Sequence, residues 1–380
     1  METVVPCAPT AALAVEQAVE AVASAASAVD RERTFPRNGI SALAASGALG
    51  LAVPQAFGGL GGGAAAVAEA CELVGGACAS TGMVFLMHTV AAATIAGGGG
   101  DRAAELLMAM AAGERLGTLA FSERGTGAHF QAPALRAERT GDGRRRLTGR
   151  KSFVTSGGHA DVYLVLVGSE DGEGTDCYAL DGGAAGVAFD GEWRGLGMAG
   201  NSSVAMQLDG AEVADAARIG GAGDGSALVF GVVAPIFLVG LAAVNVGIAA
   251  AAARAAAEHA AARSYPDGST LADVQSIQHA LADADATVRQ ARLLVREAAR
   301  LGDAGEEDAL VVTMEAKVPA SDAARAVAQR ALDVCGGQGC TPALPVERHL
   351  RDAQAGAVMA PTNGVLRSWV GRALAGLPVP

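Results

Sequence analysis

The sequence predicts an α+β chain in three parts: a helical N-terminal part, a small antiparallel β-domain, and a helical C-terminal part. Three observations carry this. Apolar residues recur at helical spacing up to about residue 114, and short alternating segments between Gly-rich turns run from 116 to about 218. From about Ser226 onward the pattern returns to long, Ala-rich helices. The divisions are placed at 1–115, 116–220 and 221–380.

In the first part, helical periodicity covers Thr10–Val29, Ile40–Leu49, Ala64–Val74 and Gly82–Ala96. Pro54 with the Gly58–Gly63 run, and then Gly97–Gly100, interrupt it. Asp101 is placed to cap a helix through Met110. Strands are expected at Leu116–Phe121, Arg145–Thr148, Val162–Val167, Cys177–Leu180 and Val204–Leu208. The turns Gly141-Asp142-Gly143 and Gly172–Gly174 lie between them. In the third part, Leu271–Leu301 puts Ile277, Leu281, Val288, Leu293 and Leu294 on a largely apolar face, with Arg289, Arg292 and Arg296 off it.

Composition narrows the class. Hydrophobic residues are 51% and charged residues 18%, so the chain folds around a large core and is not disordered. A net charge of −12 argues against a nucleic-acid binder, which needs a basic face. The six cysteines (Cys7, Cys71, Cys78, Cys177, Cys335, Cys340) include no CxxC pair and no His at zinc-ligand spacing, so free thiols in a reducing cytoplasm are expected and no metal. The apolar stretch Ala227–Ala253 is broken by Gly231, Pro235, Gly240, Asn245 and Gly247, which reads as a buried bundle helix and not a membrane span. No signal peptide is read at the N-terminus.

Five ordered segments resemble the acyl-CoA dehydrogenase superfamily. Leu51–Gly61 resembles the turn of its N-terminal helical domain. Phe121-Ser122-Glu123-Arg124-Gly125-Thr126-Gly127 is similar to its Thr-Glu-Pro-Gly-x-Gly-Ser-Asp loop, and Leu147–Asp161 to its Gly-x-Lys-x-(Trp/Phe)-Ile-Thr-Asn segment. Gln275 and Gln278 with Leu281–Asp283 resemble its Gln-containing bundle helix. Cys335–Gly339 followed by Pro345–Asp352 resembles its Gly-Gly-x-Gly turn and Arg-Asp helix. The likeness spans nearly the whole chain. It implies an N-terminal α-helical domain, a middle antiparallel β-domain and a C-terminal four-helix bundle, with FAD between the β-domain and the bundle.

The resemblance also implies roles. Ser122 would bond the flavin edge, Gly127 would let backbone N–H groups approach the cofactor, and Phe153, Val154 and Thr155 would line one face of the ring. Arg263 would reach the pyrophosphate across a subunit interface, where its fork suits an anion. Gly336, Gly337 and Gln338 would meet the adenosine part of that partner-bound cofactor, and Thr362 would touch flavin. A homo-oligomer, dimer or tetramer, is implied by these cross-subunit contacts.

One departure concerns the chemistry. The family uses a carboxylate to remove the α-proton of an acyl thioester, and a positioned general base contributes about 100- to 10,000-fold in rate. Its usual Glu-Gly-Thr triplet is here Ala360-Pro361-Thr362, and the alternative position falls near Phe237 in a stretch without Asp or Glu. Phe237, Leu238, Met359 and Ala360 are then the expected substrate wall. His88 and His129 are the candidate substitute bases, while Glu123 reads as a structural acceptor and His349 as a solvated or interface residue. The leading function is FAD-dependent oxidation of an acyl thioester bound to coenzyme A or a carrier protein, with a partner electron acceptor. A flavin monooxygenase or oxidase on the same fold, served by a flavin reductase, and a catalytically silent flavin-binding partner subunit are the alternatives.

Overall fold

The computed structural model describes residues 11–127, 129, 131–141, 143–170, 172 and 174–379. Cys7, Thr10, Asp142 and Glu173, which fall within segments named above, lie outside them. Among the described residues five helices come first: α1 (Ala11–Glu32), α2 (Arg37–Ala45), α3 (Ala64–Ala77), α4 (Ala79–Gly98) and α5 (Ala103–Ala111). Eight strands follow: β1 (Gly117–Ala120), β2 (Ala137–Gly141), β3 (Arg144–Val154), β4 (Val162–Gly168), β5 (Thr175–Asp181), β6 (Val187–Asp190), β7 (Val204–Ala214) and β8 (Arg218–Ile219). The last part holds α6 (Gly225–Leu228), α7 (Ala234–Ala262), α8 (Gln275–Ala304), α9 (Ala309–Cys335), α10 (Val346–Val358) and α11 (Asn363–Leu374).

The abundance of Ala and Gly has a packing consequence. α3 and α7 cross so closely that a Cβ on Gly247 would stand 2.2 Å from the Glu72 carbonyl oxygen, and one on Gly75 2.9 Å from the Val244 Cα. Any larger residue there pushes the helices apart. α4 and the first half of α7, up to Ala249, are apolar nearly all round because they are enclosed nearly all round, whereas Arg254 and Glu258 further along α7 are exposed. Among the described residues three helical stretches, Ala12–Glu32, Ala79–Gly98 and Gly225–Ala262, are long and apolar enough to cross a membrane. In the last two, most of the apolar window is buried inside this chain. Between α6 and α7, Val229–Val233 forms a π-turn. Pro235 explains it: the ring has no N–H for the preceding turn and crowds its carbonyl, so the helix widens there.

The β-domain is two four-stranded sheets, ordered β1-β4-β5-β8 and β2-β3-β7-β6. All pairings between these strands are antiparallel except β1 with β4, which run parallel, Gly117 opposite Val162. β2, β6 and β8 were not expected from the sequence. β2 (Ala137-Glu138-Arg139-Thr140-Gly141) is exposed beyond its first residue and has no apolar alternation to betray it; β6 is a half-exposed edge, and β8 is two residues long. β3 runs well beyond Arg145–Thr148, through Gly149 and two basic residues, because Lys151 points inward.

Two helical details correct the expectations. α5 begins after Arg102, so Asp101 is not its cap. α8 buries Ala284, Val288, Ala291, Val295 and Ala298, a 4-3-4-3 seam, whereas Leu293 is 66% exposed. Leu293 lies about 200° around the helix from Ala291 and from Val295, so alanines and not the leucine define the face.

The β-domain is tied at its centre by a buried ion pair. The Lys151 Nζ donates to Glu123 Oε1 at 2.6 Å, to the Leu166 carbonyl at 2.5 Å and to the Phe121 carbonyl at 3.4 Å. The Glu123 carboxylate in turn accepts from the backbone N–H groups of Ala134 and Leu135. Removing one partner leaves the other charge buried and uncompensated. Lys151→Met is therefore expected to destabilise the fold by about 3–5 kcal/mol. The double variant Lys151→Met/Glu123→Gln should recover part of that, as read by urea unfolding.

Candidate functional site

The Glu123 anchor holds the loop after β1, and the Ser152 N–H donates to the Ser122 carbonyl at 2.8 Å, which seats Ser122 beside the end of β3. There the chain turns through Phe153, Val154 and Thr155. Phe153 has φ +54° and its side chain is 72% exposed, while Val154 beneath it is buried. The Trp193 ring meets Phe153 edge-on at 6.5 Å between centroids. The Thr155 hydroxyl lies 3.1 Å from that of Ser203, and the Thr155 carbonyl accepts from the Thr118 hydroxyl at 2.8 Å. Ser156, Met198 and Ser202 also have left-handed backbones. Each non-glycine residue held so costs about 1–3 kcal/mol, and such strain gathers at ligand clamps.

These residues fit a flavin ring. A large aromatic face is left uncovered at Phe153. Gly125 and Gly127 have no atom within 4 Å of where a Cβ would stand, so the loop has an open flank. The Ser156 hydroxyl and both polar atoms of the Asn201 amide are buried and find no partner among the described residues. The Ser156 N–H donates to the Asn201 carbonyl, so these uncommitted groups adjoin one another.

Other expected cofactor residues lie elsewhere. Arg263, just past the C-terminus of α7, is exposed with its guanidinium 5.9 Å from the centre of the Tyr265 ring. Gly336, Gly337 and Gln338 are exposed in a 3-10 turn after α9. Among the described residues none of these four bonds to the β-domain group. A single chain thus gathers Ser122, Gly127, Phe153, Val154 and Thr155 but leaves the other four on the bundle surface.

The residues of the expected substrate wall differ in their surroundings. Phe237, Met359 and Ala360 are half-buried against the main core. Leu238 is instead a core residue, 1% exposed, packed with Ala234, Met314, Leu366 and Trp369. Its side chain is consumed by that cluster and cannot line an open wall. Thr362 caps α11, its hydroxyl oxygen accepting from the Val365 N–H at 3.3 Å, which leaves its own proton free to donate. No Asp or Glu occurs in 227–253 or 353–366.

Sequence reasoning missed Lys317. It is fully buried on α9, and its Nζ donates to the carbonyls of Met359 and Pro361 and to Asn363 Oδ1. Burial lowers its pKa to about 8. The available signal was a lysine inside the buried run Thr313, Met314, Ala316, Ala320 of an Ala-rich helix.

The histidines change meaning. His88 is 0% exposed, and its Nδ1 accepts from the Gly117 N–H at 3.1 Å. Nε2 therefore carries the proton and donates to the Leu49 carbonyl at 3.0 Å. Both nitrogens are used in joining α4 to β1 and to the turn at Leu49, so His88 is a structural residue and not a base. His129 is exposed in the loop after β1, and among the described residues only its backbone is bonded. His349, expected to be a solvated or interface residue, is buried within the chain, and burial beside Arg348 and Arg254 pushes its pKa down to about 3. The Arg351 next to Asp352 forks onto Asp30 at 2.8 and 2.6 Å, tying α10 to α1. Burial raises the Asp352 pKa to about 6 while it accepts from the Met198 N–H at 2.6 Å.

Burial holds His88 at about pH 4, below its ordinary 6.5. The unfolded chain binds the proton first, so the stability this neutral histidine confers is complete above pH 6.5 and is lost as pH falls toward 4. The loss amounts to about 3 kcal/mol. Urea unfolding between pH 7 and 4.5 should show a shallower pH dependence in His88→Gln; an unchanged slope contradicts the assignment.

Known proteins match this arrangement along its length. The sequence patterns of the acyl-CoA dehydrogenase N-terminal, middle and C-terminal domains match residues 11–114, 118–211 and 239–375. Cyclohex-1-ene-1-carbonyl-CoA dehydrogenase of Geobacter metallireducens is 31% identical over 94% of this chain and 94% of its own. Acyl-CoA dehydrogenase of Bacillus subtilis is 30% identical over 93% and 94%. The structure of butyryl-CoA dehydrogenase from Megasphaera elsdenii superposes with a TM-score of 0.89 at 26% identity, covering 95% of this chain and 97% of that one. The chain belongs to the acyl-CoA dehydrogenase family.

Proposed function

We propose that the chain is an FAD-dependent oxidoreductase that oxidises an acyl thioester at its α and β carbons. The thioester is carried on coenzyme A or on a carrier protein. The observation that supports this best is the group at the end of β3: an exposed Phe153 held in a left-handed backbone, beside Thr155 and the uncommitted Ser156 and Asn201. FAD, the cofactor of the family, supplies a two-electron acceptor for a hydride when bound. Phe153 would offer it an aromatic face, Ser122 and Thr155 would bond its polar edge, and Gly125 and Gly127 would admit close approach.

The substrate side is apolar. Phe237, Met359 and Ala360 exclude water and offer no carboxylate, so neither customary position accepts the α-proton. That proton passes to water or to a group on the substrate itself, which favours substrates whose α-proton is already acidic. The Geobacter relative is named for a cyclic acyl-CoA, so cyclic acyl thioesters belong among the candidates. Arg263, Gly336, Gly337 and Gln338, exposed on the bundle, are available to the FAD of a second copy in a dimer or tetramer. An electron acceptor then reoxidises the enzyme.

A second reading, a monooxygenase or oxidase, is favoured by the same missing carboxylates, because reaction of reduced flavin with oxygen needs a dry wall and no α-proton base. The test is anaerobic mixing of the FAD-loaded protein with straight-chain, branched and cyclic acyl-CoA thioesters. Bleaching of the flavin absorbance is expected. No bleaching, with substrate hydroxylation when reduced flavin and oxygen are supplied, would establish the second reading; protein that takes up no FAD contradicts both.

A further inference from the structure

Lys317 has more polar partners than a packing residue requires. Its side chain is 0% exposed, where a methionine of similar length would fill the space without the cost of taking a charge out of water. An ammonium has three protons, and here three acceptors meet them: the Met359 carbonyl at 3.4 Å, the Pro361 carbonyl at 3.1 Å and Asn363 Oδ1 at 2.9 Å. All three belong to one segment of five residues, and two of them flank Ala360. Asn363 is itself fixed, its Nδ2 donating to Asp322 Oδ1 at 3.2 Å, while Arg367 Nη2 donates to Asp322 Oδ2 at 2.6 Å. Lys317, Asn363, Asp322 and Arg367 thus form one chain of alternating donors and acceptors that binds the start of α11 to α9.

We infer that Lys317 is a positioning residue for the substrate wall: its ammonium sets the path of the Met359–Asn363 segment, and so where Ala360 and Thr362 stand. The inference rests on the oxidoreductase reading above. A wall without a carboxylate depends on shape alone, and a displacement of about 1 Å at a reacting centre costs on the order of 100-fold in rate. A neutral amine loses one of its three donors and turns a lone pair toward carbonyl oxygens. The clamp therefore weakens as pH rises through the lysine's pKa of about 8. The charges acting on it are Asp322 on its own helix, which raises that value, and Arg367 on α11, which lowers it.

The test compares FAD-loaded wild type with Lys317→Met. In the variant, anaerobic flavin reduction by the best acyl thioester should slow by about 10- to 100-fold with little change in the concentration needed for half-saturation. The wild-type rate should fall above about pH 8, and that alkaline limb should be missing in the variant. Amide hydrogen exchange, read by mass spectrometry, should quicken in 359–367 and stay unchanged in the β-domain. Equal rates with the same pH profile overturn the inference. If no acyl thioester reduces the wild-type flavin, the oxidoreductase reading falls, and the exchange comparison still decides Lys317: unchanged exchange in 359–367 overturns it, and faster exchange there upholds the clamp. Should Lys317→Met not fold, Asn363→Ala removes one of the three acceptors and is judged by the same readings.

Discussion

A buried lysine–glutamate pair is the constraint on which the cofactor side of this protein depends. Lys151 lies on β3, in one sheet, and reaches the Leu166 carbonyl on β4, in the other. Its remaining protons hold Phe121 and Glu123, at the start of the loop after β1. One ammonium therefore fixes the spacing of both sheets and the origin of the loop carrying Ser122, Gly125 and Gly127. Burial favours its neutral form, and the adjacent Glu123 opposes that. Strain at Phe153, two residues further along, is sustained because the strand before it is held this firmly.

The helix–sheet–helix order was legible because period and texture change sharply near residues 116 and 220. The motifs of the β-domain were legible for a related reason. A lysine within a strand, a loop glutamate and clustered glycines are unusual choices that only a specific geometry explains. Elements set by packing alone were not. β2 and β6 lie at sheet edges where solvent erases alternation, and α8 chose its buried face with alanines, which carry little hydrophobic signal beside Leu293. His88 shows the limit for single residues: an apolar helix holding one histidine reads the same whether the ring serves chemistry or joins two elements. Only its two bonds, to Gly117 and Leu49, separate the cases. Lys317 was hidden likewise, since two of its three acceptors are backbone carbonyls that a sequence does not display.

The two halves of the site are built differently. The β-domain half is polar, strained and tied by charge. On the proposed reading the bundle half is an apolar wall of Phe237, Met359 and Ala360, with Lys317 bonded to Asn363 behind it and Thr362 capping α11. On that reading, alanine at position 360 removes the proton acceptor while the surrounding support remains in place. The proposed reading thus assigns binding and orientation to the fold and leaves the α-proton to the substrate or to water.

Restoring the carboxylate tests that division most directly. Anaerobic flavin reduction by a saturating acyl thioester should be compared in the wild type and in Ala360→Glu. If the wall lacks only its base, the variant should reduce flavin about 100-fold or more faster, the usual contribution of a positioned base. A variant no faster than the wild type would show that position 360 is not where the α-proton acceptor is missing, and would contradict the account.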